Sequence, residues 1–97
     1  MIVGILTLHL HLPACTSLKE KRGRIKPVLA RLHREFNVSA AEVDLQDRWN
    51  ESILAAALIS NENSQVQRAL QNVLEFSSQH FPEVDIVDHK IELIPGV

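Results

Sequence analysis

Ser52-Ile-Leu-Ala-Ala-Ala-Leu-Ile-Ser60 is the stretch whose reading decides the fold. Its alanines would suit a helix. Its shortness and its polar boundaries suit a strand, and unbroken apolarity is what a strand in a two-sided core position shows. Taken as a strand, it organises its neighbours. Gln46-Asp-Arg-Trp-Asn50 before it is polar and turn-like, and Val38 to Leu45 before that reads as another strand. After it, Asn61-Glu-Asn-Ser64 supplies capping residues. Val66, Ala69, Leu70, Val73 and Leu74 then form the apolar stripe of a helix that ends near His80. Pro82 breaks that helix, Val84 to Ile94 is the last strand, and Pro95-Gly96 ends the order.

The N-terminal third supplies one more strand and one more helix. In residues 2–12, Leu6, Leu8, Leu10 and Leu12 point one way, while Val3, Ile5, Thr7, His9 and His11 point the other. Pro13 ends this strand. Ser17-x-x-Glu20 is a capping box that opens a helix. Leu18, Ile25, Val28, Leu29, Leu32 and Phe36 form its buried stripe, and Asn37 is its stop. Pro27 lies inside the pattern, so the reading expects a kink or a division of the helix there; Gly23 weakens the same region.

The order β-α-β-β-α-β, with right-handed crossovers, predicts a ferredoxin-like α+β fold. Its four-stranded antiparallel sheet carries both helices on one face. The same topology brings the end of the first strand, the start of the first helix and the central hairpin to one edge. Residues 1–97 are read as one domain, without repeat, linker or low-complexity tract. A hydrophobic content of 45% is that of a folded chain, and with only four aromatic residues (Phe36, Trp49, Phe76 and Phe81) the core must be aliphatic.

Charge is unevenly placed. Seven of the ten Lys and Arg residues lie between Ser17 and Phe36, opposed there only by Glu20 and Glu35. That segment is therefore about +5, and the rest of the chain, with three positive and ten negative residues, is about −7. A dipole of this kind points to an anionic partner for one face, not to general coating of nucleic acid. The lone Cys15 excludes an internal disulfide and suggests a reducing compartment. The N-terminal run lacks a basic leader and is interrupted by His9 and His11, and no stretch is apolar enough to span a bilayer. The expectation is a soluble cytoplasmic protein with no membrane partner.

Four motifs, in order along nearly the whole chain, carry a resemblance. They are Ser17-Leu-Lys-Glu-Lys-Arg22 after the first strand, Phe36-Asn-Val-Ser-Ala-Ala-Glu-Val43, Gln46-Asp47 with Trp49, and Ser60-Asn61 before the second helix. Together they are similar to the signature of the YlxP-like family, small bacterial proteins of unknown function. The resemblance implies a ferredoxin-like fold and a genomic neighbourhood shared with translation-initiation and ribosome-maturation genes. It carries over no catalytic residue. Where relatives often have Gly-His before the Gln-Asp pair this chain has Asp44-Leu45, so no histidine role transfers there.

The site expected from these readings is an anion- or RNA-binding surface made of Lys19, Lys21, Arg22, Arg24 and Lys26 on the first helix and Arg48 and Trp49 on the hairpin. Lys19, Arg22 and Lys26 fall within about 60° on a helical wheel, and a helix N-terminus favours anions. Their plain alternative is a solvated charged face. Trp49 in a polar turn is suited to stacking on a base, and equally to covering the hairpin or a dimer contact.

Other chemistry finds little support. His9 and His11 share a strand face, with His89 expected beside them, but no compact metal-ligand spacing exists, so no metal or other cofactor is expected. Cys15 lacks an obvious basic partner. The Pro13-Ala-Cys-Thr16 loop has neither the Gly-Arg composition of acylphosphatases nor the paired cysteines of copper chaperones. No catalytic residue is assigned, and the reading expects a non-enzymatic module. The strands lack the aromatics of an RNA-recognition sheet, so nucleic acid would bind at the helix and loop edge. An apolar open sheet face, including Val3, Ile5 and Ile53 to Ile59, suggests a homodimer. The expected role is thus association with ribosomal RNA or the ribosome, the alternative being a homodimeric protein- or small-molecule-interaction module.

Overall fold

The computed structural model describes residues 1–96. Its elements run β1 (Ile2–His11), α1 (Leu18–Glu35), β2 (Ser39–Asp44), β3 (Glu51–Ser60), α2 (Asn63–His80) and β4 (Asp85–Pro95). The sheet order is β2-β3-β1-β4, and every neighbouring pair is antiparallel. This is the ferredoxin-like α+β arrangement, and the alanine-rich stretch is indeed its central β3.

Alternation in β1 sets the two faces of the sheet. Leu6, Leu8, Leu10 and the following Leu12 are buried together with Ile25, Val28 and Leu32 of α1 and Val66, Leu70 and Val73 of α2. Both helices therefore cover one face. Burying a leucine or valine side chain of this kind contributes about 1.5–3 kcal/mol, so this aliphatic layer is the main source of stability. Gly4 lies in the same row, beneath α2. A Cβ there would overlap Val66 Cγ1 and stand 2.9 Å from Leu70 Cδ1, so the glycine permits the close approach of helix to sheet.

Two β-bulges adjust the pattern at the sheet edges. In β4 the register shifts so that Asp88 opposes His9 and Ile86 opposes Leu10, leaving Val87 as the extra residue. In β2, Glu42 opposes Leu54 and Asp44 opposes Ile53, leaving Val43 over. Val87 and Val43 are among the exposed large hydrophobics.

Three local expectations change. Helix α1 is continuous through Pro27, so of the kink or division expected there the division does not occur. Pro27 and Gly23, the residue whose carbonyl loses its donor, are both exposed, so water can satisfy that group. The cap of α2 is Glu62, without a side-chain hydrogen bond, in place of a capping Asn or Ser. His89 pairs with Leu8 on the helix-bearing side, opposite to the face of His9 and His11. The three histidines therefore do not converge. Among the described residues no group of three or more His, Cys, Asp or Glu side chains is placed to hold a metal, and no helix is long and apolar enough to cross a membrane.

Candidate functional site

The basic helix presents its charges in three directions. On a wheel turning 100° per residue, Lys21 falls in line with Ile25, Val28 and Leu32, at the centre of the buried stripe. It is only 2% exposed. Its Nζ donates to the Leu45 carbonyl oxygen at 2.6 Å and lies 2.9 Å from Glu42 Oε2. The Glu42 carboxylate also accepts from the buried Ser52 hydroxyl at 2.6 Å. Lys21 is therefore a pin between α1 and the β2–β3 connection, and it cannot face a partner. The signal was present in the sequence: position 21 fills the gap between Leu18 and Ile25 in the apolar stripe.

Arg24 is also engaged inside the protein. Its Nη1 donates to the carbonyl oxygens of Pro13, at 2.7 Å, and Glu83, at 3.2 Å. Its Nη2 donates to Glu20 Oε1 at 2.9 Å. It ties α1 to the chain on either side of the fold and is withdrawn from the expected anion site.

The N-terminus of α1 is likewise occupied. Ser17 Oγ accepts from the Glu20 backbone N–H at 3.1 Å, as a capping box requires. The returning Glu20 carboxylate accepts from the Thr16 backbone N–H at 3.1 Å and from the Thr16 hydroxyl at 3.2 Å. The Thr16 N–H, followed by Arg24, holds the Glu20 carboxyl below its ordinary value. An internal carboxylate thus already lies at this end of the helix, bonded to Thr16 before the cap and to Arg24.

Lys19, Arg22 and Lys26 remain. All three are exposed and make no ion pair among the described residues. Arg22 and Lys26 border a cleft of about 400 Å³, which Gln46 and Asp47 of the hairpin close on the other side. Leu18, Ile25 and Leu29 give the cleft an apolar floor, and the Lys21–Glu42 pair lies at its base. The hairpin is held at this edge by a Leu12 N–H to Asn50 carbonyl bond of 2.8 Å as well as by Lys21. Trp49 is 54% exposed. Arg48 stands 4.0 Å from Glu51 and is largely exposed. The arrangement combines exposed cations, an apolar floor and an exposed indole at one end of the sheet.

The remaining candidates are more self-contained. His9 lies 3.6 Å from Glu51 and His11 lies 3.7 Å from Asp85, each facing its own carboxylate on the open side of the sheet. Cys15 is buried, with its Sγ 3.5 Å from the Ser17 carbonyl oxygen. Arg31, which no sequence motif singles out, lines a second cavity on the other flank of α1.

Comparison with known proteins gives a family and a fold. A family model described as "Protein of unknown function (DUF503)" matches residues 3–91. The chain is similar to the uncharacterized protein YlxP of Bacillus subtilis (strain 168), with 41% identity over 69 residues, covering 71% of this chain and 74% of that protein. Among solved structures it resembles SnoaB, a cofactor-independent oxygenase from Streptomyces nogalater, at 12% identity and a TM-score of 0.51, over 99% of this chain and 93% of that one. A mutant form of the same oxygenase matches with the same score. At this identity the likeness shows the fold alone. It nevertheless corrects one expectation. The reading of the chain as non-enzymatic rested on missing motifs, and an enzyme that works without a cofactor shares this architecture along nearly its full length. Catalysis is therefore not excluded by what the chain lacks.

Proposed function

The chain belongs to the DUF503 family of proteins of unknown function, and from its own geometry we propose that it binds structured RNA, most directly ribosomal RNA within the cytoplasmic ribosome. One observation carries the reading. Lys19, Arg22 and Lys26 share an exposed helix face beside a cleft of about 400 Å³ with an apolar floor. Three unpaired cations meet consecutive phosphates, while an apolar slot and the exposed Trp49 offer surfaces for unstacked bases. Lys21 and Arg24 serve this surface by fixing the helix and the hairpin that form its two walls. The acidic remainder of the protein limits non-specific adhesion, which favours a defined site over a coated duplex.

The test is binding to small ribosomal subunits and to their RNA at two salt concentrations, beside a Lys19→Glu, Arg22→Glu, Lys26→Glu triple variant. Release of counterions from three single-strand phosphates gives a slope of log affinity against log salt of about −2. The triple variant should lose binding and most of that slope. Unchanged affinity and slope in the variant would rule the reading out.

A second reading rests on a different surface. Val3, Ile5, Ile53, Ala55, Ala57, Ile59 and Ile94 lie on or beside the sheet face that no helix covers, with Ile59 66% exposed. A second copy is the occupant that needs no other partner, since an isologous contact brings the same apolar patch to itself. Sedimentation at high micromolar concentration tests it: a dimer that Ile59→Glu dissociates supports it, and a monomer throughout rejects it.

A further inference from the structure

We propose that the cavity between α1 and the α2–β4 connection is a binding site for a small monoanionic carboxylic acid with a flat apolar body. The cavity has a volume of about 380 Å³ and lies on the opposite flank of α1 from the cleft described above. That volume is at the lower end for small-molecule sites. Pro27 and Val28 from α1 and Phe81 and Val84 from the connection form apolar walls, and Arg24 and Arg31 supply the charge.

The two arginines differ in what they have left to give. Arg24 already serves two carbonyls and lies beside the carboxylates of Glu20 and Glu83. Arg31 makes no ion pair among the described residues, and its Nε is buried with no hydrogen-bond partner. Its guanidinium sits 5.2 Å from the centre of the Phe76 ring, whose aromatic neighbours are a stacked His80 at 4.2 Å and edge-on Phe36 and Phe81. The aromatic cluster thus holds the Arg31 head in position while a donor stays unmet. A buried donor without an acceptor is costly, and a charged one more so.

A carboxylate fits the open end of that guanidinium. Its two Nη groups, which are not among the buried unpartnered atoms, present N–H donors side by side, in a spacing that matches the two oxygens of a carboxylate. One uncompensated positive charge calls for one negative charge. A dianion would add its second charge next to Glu83, which also lines the cavity. The flat apolar body follows from the proline, valine and phenylalanine walls.

The experiment is an amide-resolved NMR titration of the full chain with phenylacetate, with neutral phenylacetamide and dianionic benzyl phosphate as comparisons. Phenylacetate should give saturable shifts concentrated at Gly23, Val28, Arg31, Phe81 and Val84. Its affinity should exceed that of phenylacetamide by about tenfold or more, the factor expected for a charge-assisted hydrogen bond. Arg31→Gln should abolish that preference. Arg31→Lys keeps the charge over Phe76 but removes the paired planar donors, and should weaken phenylacetate as well; it decides the matter if the glutamine variant does not fold. No shifts at tens of millimolar phenylacetate, shifts confined to Lys19, Arg22 and Lys26, equal binding of the amide, tighter binding of benzyl phosphate, or full binding by Arg31→Lys would each overturn the proposal.

Discussion

The ammonium of Lys21 lies 2.9 Å from the carboxylate of Glu42 and 2% of the lysine is exposed, so the most basic segment of the chain contributes one of its charges to the interior. A lysine in an apolar stripe is tolerated only when its charge is matched, and here Glu42 matches it while the Leu45 carbonyl accepts a second hydrogen bond. Glu42 is itself 21% exposed at its side chain, which moderates the loss of solvation.

That geometry predicts an asymmetry between single and double substitutions. Lys21→Ala strands Glu42, empties part of the core and detaches the hairpin. Its cost should approach the ~3–5 kcal/mol of a broken buried pair. Lys21→Met with Glu42→Gln removes both charges and keeps the volume, and should recover most of that loss. Denaturant midpoints of the two variants, beside the parent protein, measure the difference.

Gly4 gives a second test, in the opposite sense. Gly4→Ala should destabilise by about 1–3 kcal/mol, because the added methyl overlaps Val66 and crowds Leu70 beneath α2. Gly23→Ala should stabilise by up to about 1 kcal/mol, since nothing lies within 4 Å of the new methyl and glycine is a poor helix former. Thermal unfolding of both variants compares two glycines of the same chain in different surroundings.

Glu20 ties stability to pH. Its folded-state pKa is lowered, first by the Thr16 backbone N–H and then by Arg24. A lowered pKa means that the contribution is present above the unfolded value, near 4.5, and is lost as pH falls through the folded value. Glu20→Gln should therefore flatten the decline of stability on the acid side of pH 4.5 and change little about its slope at neutral pH. Urea titrations across that range read the difference.

Trp49 is the only tryptophan and is 54% exposed, so its fluorescence reports on the hairpin alone. In the free protein its emission should be that of a solvated indole, readily quenched by acrylamide. Ribosomal RNA that stacks on it should quench the emission directly and protect it from acrylamide. Trp49→Ala should then lower RNA affinity by about 1–3 kcal/mol per stacked base without affecting the salt slope. Acrylamide access unchanged by bound RNA would place the indole outside the contact.

Much of the fold was legible because it depends on periodicity. The alternation of Leu6, Leu8, Leu10 and Leu12, the stripe through Val66, Leu70 and Val73, and the Ser17–Glu20 capping box each express a local rule that the folded chain obeys. The continuous helix at Pro27 was not legible, since its cost depends on whether the freed Gly23 carbonyl can reach water. Nor was the separation of His89 from His9 and His11. The bulge at Val87 and the pairing of His89 with Leu8 are properties of strand register, and one residue of slip exchanges the faces.

Sequence by itself determined the order of the elements, the apolar faces that join them and the gathering of positive charge on one helix, because each is written in neighbouring residues. Only the tertiary structure decided which of those charges are available. Lys21 and Arg24 are absorbed by Glu42, Glu20 and the carbonyls of Leu45, Pro13 and Glu83, partners that lie as far as 59 positions away along the chain. Lys19, Arg22 and Lys26 remain exposed, and Arg31 is held against Phe76 with a donor unmet. The free energy of a charge depends on the dielectric around it and on the groups within a few ångströms. Folding sets both, by bringing together segments that are distant in sequence.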